Sequence, residues 1–307
     1  MAILRGMDVL SDILKTLHLR AEVFLHACFR GDWAVDSSGE RRATFHMVAR
    51  GGCWLHMSDN PDPVALASGD LVVFPHDAQH TLSNSELPPA DNFPRNQLPD
   101  DAATGPAVNL ICGYFEFERH SWNPLIAAMP DVMVIRNEAS ASVPLMDTLG
   151  RFLYYEVDTA QQGSALLIDK LSEILFIHVV RSYMNKEQDK GFISALADSQ
   201  IGKALSKVHE DPAQNWSVES LAKEAGMSRS AFAERFSRLV EMSPMQYLTH
   251  WRMTQANERF LTTEQSVAQV AEQCGYQSEP AFAKAFKKQF GYGPGQARKA
   301  KASTIFV

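Results

Sequence analysis

The chain repeats itself near its C-terminus. Ser217-Val218-x-x-Leu221-Ala222-x-x-x-Gly226-x-Ser228-x-x-x-Phe232-x-x-x-Phe236 returns as Ser266-Val267-x-x-Val270-Ala271-x-x-x-Gly275-x-x-Ser278-x-x-x-Phe282-x-x-x-Phe286, offset by 49 residues up to the glycines and by 50 beyond them. Each copy has a proline eight residues past its last Phe, Pro244 and Pro294. A period of this length marks a duplicated supersecondary unit. Its grammar is that of a helix-turn-helix: a helix opened at a Ser, a Gly where the backbone turns left-handed, and a second Ser placed to cap a new helix. In each second helix the two Phe residues stand four apart, so they share the inward face and leave the opposite face free. That free face is the candidate reader of DNA.

Between the copies, Pro244 to Leu261 starts with a helix-opening proline and spaces Met245, Leu248, Trp251 or Arg252, and Gln255 at helical intervals. The pattern predicts one connecting helix about 27 Å long. Such a helix can hold two recognition helices about one DNA turn, roughly 34 Å, apart.

Residues 200–299 resemble the DNA-binding domain of the AraC/XylS family of bacterial transcriptional regulators. The resemblance is carried by Pro244-Met245-Gln246-Tyr247-Leu248 with Trp251-Arg252-Met253, by Gly275-Tyr276-Gln277-Ser278-Glu279-Pro280-Ala281-Phe282, and by Phe286-Lys287-Lys288-Gln289-Phe290-Gly291. It implies that Ser230, Ala233 and Glu234, then Pro280, Ala283 and Lys284, face base edges, with Glu279 beside them. Lys284 suits guanine, Glu234 suits the amino group of cytosine, and the small side chains suit a thymine methyl. Arg229, Arg235, Arg238, Lys287 and Lys288 are expected at phosphates or on solvated surface. The resemblance also implies a promoter in double-stranded DNA, RNA polymerase and a second copy of the chain as partners, and transcriptional activation as the outcome.

Charge agrees with this division. From Ala195 onward there are 14 Lys and Arg against 11 Asp and Glu, whereas the rest of the chain carries 15 against 25. The basic excess lies with the repeat, which outweighs the acidic net charge of −7 for the whole chain when a DNA-facing surface is at issue. No apolar run approaches the roughly twenty residues that cross a bilayer. Val9 to Leu17 contains Asp12 and Lys15, which predicts an amphipathic helix and not a secretory segment. Four scattered cysteines without CxxC spacing suit reduced thiols, so a cytoplasmic protein is expected.

Up to about Ile135 the character changes to short β-rich runs punctuated by Gly51-Gly52, Asn60-Pro61 and Ser68-Gly69-Asp70. Gly69 to Asn84 resembles the second cupin motif, G-x5-P-x-G-x2-H-x3-N, with Asp77 where the motif has Gly. The resemblance continues through a Cys-Gly strand at Cys112-Gly113 and a Pro-Leu helix at Pro124-Leu125, as in a subgroup of these regulators with an N-terminal cupin. The expected fold is therefore α+β: a cupin-like jelly-roll barrel over 1–137, dimerisation helices over 138–186, a linker over 187–198, and an all-α double helix-turn-helix domain over 199–302. Leu87 to Pro106, rich in Pro, Asp and Asn, reads as a mobile loop beside the barrel, placed to gate a ligand.

The barrel offers two sites. His46, His80 and Cys112 form an incomplete cupin ligand set that would suit zinc, with His56 or His76 as a fourth ligand; the alternative is hydrogen-bonded histidines and a buried thiol. Phe45, Trp54, Phe74 and Tyr114, with Trp33 and Phe117, are candidate walls for a small organic effector or plain core. Two functions follow: a regulator whose barrel senses a small molecule or metal, or a metal-dependent cupin enzyme with an appended DNA-binding domain. An Ada-like repair protein would need clustered reactive cysteines, which are absent. Ser164 to Met184 carries Leu167, Leu171, Ile174, Leu175, His178 and Val179 on one expected stripe, read as a dimerisation helix or as packing against its own barrel.

Overall fold

The computed structural model describes residues 8–17, 19–97, 103–117, 123–137, 145–184 and 191–298. Within these, the β-rich runs become nine strands: β1 (Arg20–Phe29), β2 (Ala34–Val35), β3 (Ala43–Arg50), β4 (Gly52–Met57), β5 (Asn60–Ala67), β6 (Leu71–Phe74), β7 (His80–Ser83), β8 (Val108–Glu116) and β9 (Met133–Ile135). They pair antiparallel in two sheets, ordered β1-β8-β3-β6-β9 and β2-β7-β4-β5. Val48, Val72 and Leu110 from the first sheet meet Leu55, Leu66 and Leu82 from the second in one apolar core. β3, β6 and β8 are buried on both faces, which requires a further layer outside the first sheet.

Helices α3 (Leu145–Thr159) and α4 (Ser164–Met184) supply that layer. Phe176 of α4 lies 5.1 Å from Phe115, which stacks on Phe45 at 4.8 Å, and the Asp169 carboxylate accepts a 3.0 Å bond from the Ala21 amide at the start of β1. The single stripe expected on α4 divides in two. Leu175 and Val179 are buried with Phe176, whereas Leu167 and Ile174 are exposed. The difference arises because a 21-residue helix that covers a sheet also presents a second face.

The cupin-like motif folds as a turn that its departure from pattern explains. Asp77 takes the motif's glycine position with a left-handed backbone, φ 59°, a conformation that Asp tolerates better than most residues. Its carboxylate then accepts bonds from the amides of Gly39 and Arg41. The loop after β7 is held where it is described: Asn96 donates to the Asp36 carbonyl at 2.6 Å and accepts from the Asp36 amide at 2.8 Å.

The other compact unit is helical, with α1 (Val9–Lys15), α2 (Pro124–Ala127), α5 (Phe192–Ala197), α6 (Ile201–Glu210), α7 (Val218–Glu224), α8 (Arg229–Val240), α9 (Pro244–Thr262), α10 (Val267–Gln273) and α11 (Glu279–Phe290). α1 and α2 group with this unit instead of with the barrel, and 192–197, expected in the linker, form a helix with Phe192, Ile193 and Ala195 buried. The reason for the helix at 192–197 is side-chain chemistry: its apolar residues would be left wet in a linker. Residues 185–190 and 138–144 lie outside the described residues.

Candidate nucleic-acid interface

The repeat folds as two equivalent helix pairs, α7 with α8 and α10 with α11. Ser217 and Ser266 each close a capping box with the residue three positions on, Ser220 and Gln269. The turns pass through Gly226 at φ 65° and Gly275 at φ 75°. They are not equally crowded. A Cβ on Gly275 would lie 2.4 Å from the Ala213 carbonyl oxygen, whereas one on Gly226 would meet nothing within 4 Å.

The two recognition helices start differently. The Ser228 side chain caps α8 by accepting from the Ala231 amide. Ser278 makes no such bond, and α11 relies instead on Pro280 in its first turn, where a missing N–H costs nothing. Phe232, Phe236, Phe282 and Phe286 are all buried as their spacing predicts. Arg229, Ser230, Glu234 and Arg238 are exposed on α8; Glu279, Pro280, Lys284 and Lys287 are exposed on α11; Ala233 and Ala283 are half-buried at the matching position.

Arg235, expected at a phosphate or on solvated surface, forms a forked pair with Asp198, Nε at 3.0 Å and Nη2 at 2.5 Å, and gives Nη1 to Gln200 at 3.0 Å. Asp198 also accepts from the amides of Gln200 and Ile201 at the start of α6. Burial pushes the Asp198 carboxyl up, but those amides and the Arg235 guanidinium outweigh it and hold the group below the usual carboxylate range. Arg235 therefore anchors α8 to α6. Its sequence position gives no sign of this, because Asp198 stands 37 residues away.

The connecting helix α9 has 19 residues, about 28 Å, and is buried on more than the expected stripe. Tyr247, Leu248 and Trp251 pack in its first half, and Met253, Ala256 and Phe260 in its second. The second-half residues share a core with Val270, Phe282 and Phe286. The hallmark Arg252 gives Nε to the Pro212 carbonyl at 2.7 Å and Nη2 to that of Gln214 at 2.9 Å, so it fastens the segment ahead of α7 onto α9. Beside it, His209 stacks on Trp251 at 3.9 Å and its Nε2 lies 2.7 Å from the Tyr247 hydroxyl. Burial depresses the His209 pKa to about 3, so the ring is neutral even though Asp12 lies 3.8 Å away.

In the β unit, His46 of one sheet meets His80 of the other, Nε2 to Nε2 at 2.8 Å. His80 Nδ1 lies 2.7 Å from the Ala78 carbonyl and must donate to it. Its Nε2 is therefore the acceptor, and His46 carries its proton on Nε2. Ser37 Oγ lies 3.1 Å and 3.3 Å from the two Nε2 atoms. Burial lowers both imidazole pKa values, with His80 lowering His46 further. Two rings spending their facing nitrogens on each other do not make the expected zinc site. Burial, reinforced by Cys53, raises the Cys112 thiol, opposing the thiolate a metal needs. His56 bonds with Ser83 and Ser85, and His76 with the Met129 carbonyl. Among the described residues no three His, Cys, Asp or Glu side chains are grouped to hold a metal ion.

A cavity of about 410 Å³ opens beside this pair. Phe24, Leu25, Phe29 and Val35 form its apolar wall, and Ser37 and Thr44 lie at its polar side. Of the four aromatic residues expected in a pocket, only Tyr114 lines it. Phe74 is core, stacked on His80 at 3.6 Å; Phe45 pairs with Phe115 on the face covered by α4; Trp54 sits on β4 opposite Ala65 and Ser83. Alternation places Phe45 wrongly for a pocket, since its neighbours Thr44 and His46 take the inner face.

The family comparisons agree with both halves. A cupin family profile matches residues 8–185 and a helix-turn-helix domain profile matches residues 221–300. A Streptomyces antibioticus protein named as an AraC-like transcription regulator is 32% identical over 303 residues, covering 95% of this chain and 99% of its own. The chain belongs to the AraC-like transcription regulators. Another such relative, the HTH-type transcriptional regulator AlkR of Acinetobacter baylyi, is 31% identical over 305 residues, again covering 95% of this chain and 99% of its own. The DNA-binding domain of AdpA, solved with a target DNA, is a similar structure at 33% identity, covering 35% of this chain and 96% of that one with a TM-score of 0.34. With a helix-turn-helix profile over residues 221–300 and relatives named as regulators, this AraC-like protein is a DNA-binding transcriptional regulator, and the enzyme alternative lacks support. Among the described residues no helix is long and apolar enough to cross a membrane.

Proposed function

We propose that this regulator reads a bipartite site in double-stranded DNA with the exposed faces of α8 and α11, and that a small molecule in the β unit sets how it does so. The matched exposure of the two helices carries the first part: Ser230 and Pro280, then Glu234 and Lys284, occupy equivalent positions opposite buried Phe pairs. Lys284 donates to guanine and Glu234 accepts from cytosine, while Arg229, Arg238, Lys287 and Lys288 serve phosphates. The apolar cavity supports the second part. An effector acts by binding two arrangements of the regulator with different affinity.

A second copy of the chain is the proposed partner of α3 and α4. Phe152 and Tyr155 on α3 are 56% and 52% exposed, and Leu167 and Ile174 on α4 stand one heptad apart at 49% and 46%. A patch of this kind favours self-association. Contact with RNA polymerase and an activating outcome complete the proposal. Selection from random duplexes with the full chain tests it. The expected product is two half-sites separated by about one helical turn, roughly 10 base pairs. Recovery of a single half-site would remove the second helix pair from recognition.

A further inference from the structure

The cavity of the β unit has a chemistry of its own. Its walls are apolar at Phe24, Leu25, Phe29 and Val35, and its lining also holds two carboxylates, Asp36 and Glu40, against one cation, Arg42. That cation is already engaged. The Arg42 guanidinium lies 4.1 Å over the Tyr114 ring and 3.9 Å from the Glu116 carboxylate. Tyr114 in turn gives its hydroxyl to Glu22, which adds another carboxylate at the same edge. Asp77 stands behind the turn that carries Glu40, accepting from the amides of Gly39 and Arg41. Among the described residues of the lining, carboxylates therefore outnumber cations, and within an apolar recess they act through a lower dielectric than bulk water.

Thr44 supplies an independent observation. It is 2% exposed and lines the cavity, and its Oγ1 has no hydrogen-bond partner. A buried hydroxyl left unpaired costs free energy that a ligand can recover by bonding to it. Ser37, beside it, is occupied by the histidine pair.

We infer that the cavity binds an amphipathic cation: an apolar body seated between Phe24, Leu25, Phe29 and Val35, and a protonated amine that faces Asp36 and Glu40 and donates to Thr44 Oγ1. This rests on the proposed effector role of the β unit and specifies its chemistry. Phe24, 45% exposed at the cavity edge and stacked on Tyr114 at 6.1 Å, closes over the apolar part of the ligand. An anion is disfavoured because Arg42, the one guanidinium among the described residues of the lining, already faces a carboxylate and the Tyr114 ring.

The test uses full-length protein and three probes of one chain length, decylamine, decan-1-ol and decanoate, followed by calorimetric titration at two salt concentrations. Decylamine should bind best and weaken with salt, decan-1-ol should bind more weakly without salt dependence, and decanoate should bind least. Glu40→Gln should weaken decylamine about fivefold, the worth of one partly solvated charge pair, and leave decan-1-ol unchanged. Glu40 is exposed, so this variant is expected to fold. Thr44→Val, checked for folding by its thermal transition, should weaken both the amine and the alcohol. Equal or tighter binding of decanoate, or an amine affinity indifferent to Glu40→Gln, would overturn the cation assignment while leaving an effector cavity in place. Failure of all three probes, together with unchanged DNA binding when the cavity is filled by Leu25→Trp, would overturn the effector role as well.

Discussion

Single side chains in this regulator divide between those that hold the reading helices and those that remain to read. Lys284 and Lys287 both lie on the exposed side of α11, yet their expected contacts differ. Lys284→Ala should relax preference at one base pair by about 1 to 3 kcal/mol, whereas Lys287→Ala should weaken all sequences alike and lower the salt slope by about one; competition binding against a panel of single-base variants separates the two. Arg235 belongs to the holding class. Arg235→Ala leaves Asp198 without its guanidinium, and we expect about 2 kcal/mol of lost stability, the value of charged hydrogen bonds, read as a lower urea midpoint with the salt dependence of DNA binding unchanged. A shifted salt slope at unchanged stability would return Arg235 to the phosphate backbone.

Elements show what a repeat can and cannot specify. Both turns need a left-handed residue, so Gly226→Ala should cost about 1 kcal/mol from backbone strain alone. Gly275→Ala adds a collision with the Ala213 carbonyl and should cost about 2 to 3 kcal/mol; equal midpoints for the two variants in chemical denaturation would contradict that asymmetry. Much of this level was legible in the sequence. Turn glycines, Phe pairs four apart and the Ser caps of α7, α8 and α10 are local signals that place these helices, because helices form from near neighbours, whereas the expected cap at Ser278 is not made. What was hidden is non-local. The Arg235 bond to Asp198, the second face of α4 and the burial of α5 depend on partners that no spacing rule brings together, and the inner or outer placement of Phe45 depends on strand register. The set of His46, His80 and Cys112 follows from the incomplete cupin-like motif, but whether it can hold a metal turns on which way two ring nitrogens point. The cavity residues Ser37 and Thr44 had no sequence signal, being small hydroxyl residues, one between β2 and β3 and one on β3.

At the scale of the molecule, protonation and association are the two variables to expect. His209 has its pKa depressed to about 3 by burial, so the unfolded chain takes up a proton near pH 6.5 that the folded one refuses. Its contribution is complete above that pH and is lost as pH falls, by about 1.4 kcal/mol per pH unit. The thermal midpoint should therefore drop between pH 6.5 and 5, and His209→Gln should flatten the slope in that window; an unchanged slope would refute the assignment. Association is tested by Leu167→Glu with Ile174→Glu, which should shift the full chain from dimer to monomer in sedimentation without lowering the thermal midpoint. A monomeric parent chain would reassign that face. The histidine pair between the two sheets holds one proton between nitrogens 2.8 Å apart. A proton so confined resonates far downfield and exchanges slowly with water, and Ser37 joins it to the lining of the cavity. That proton line should therefore shift when a ligand fills the cavity beside Ser37, which proton NMR of the unlabelled protein checks.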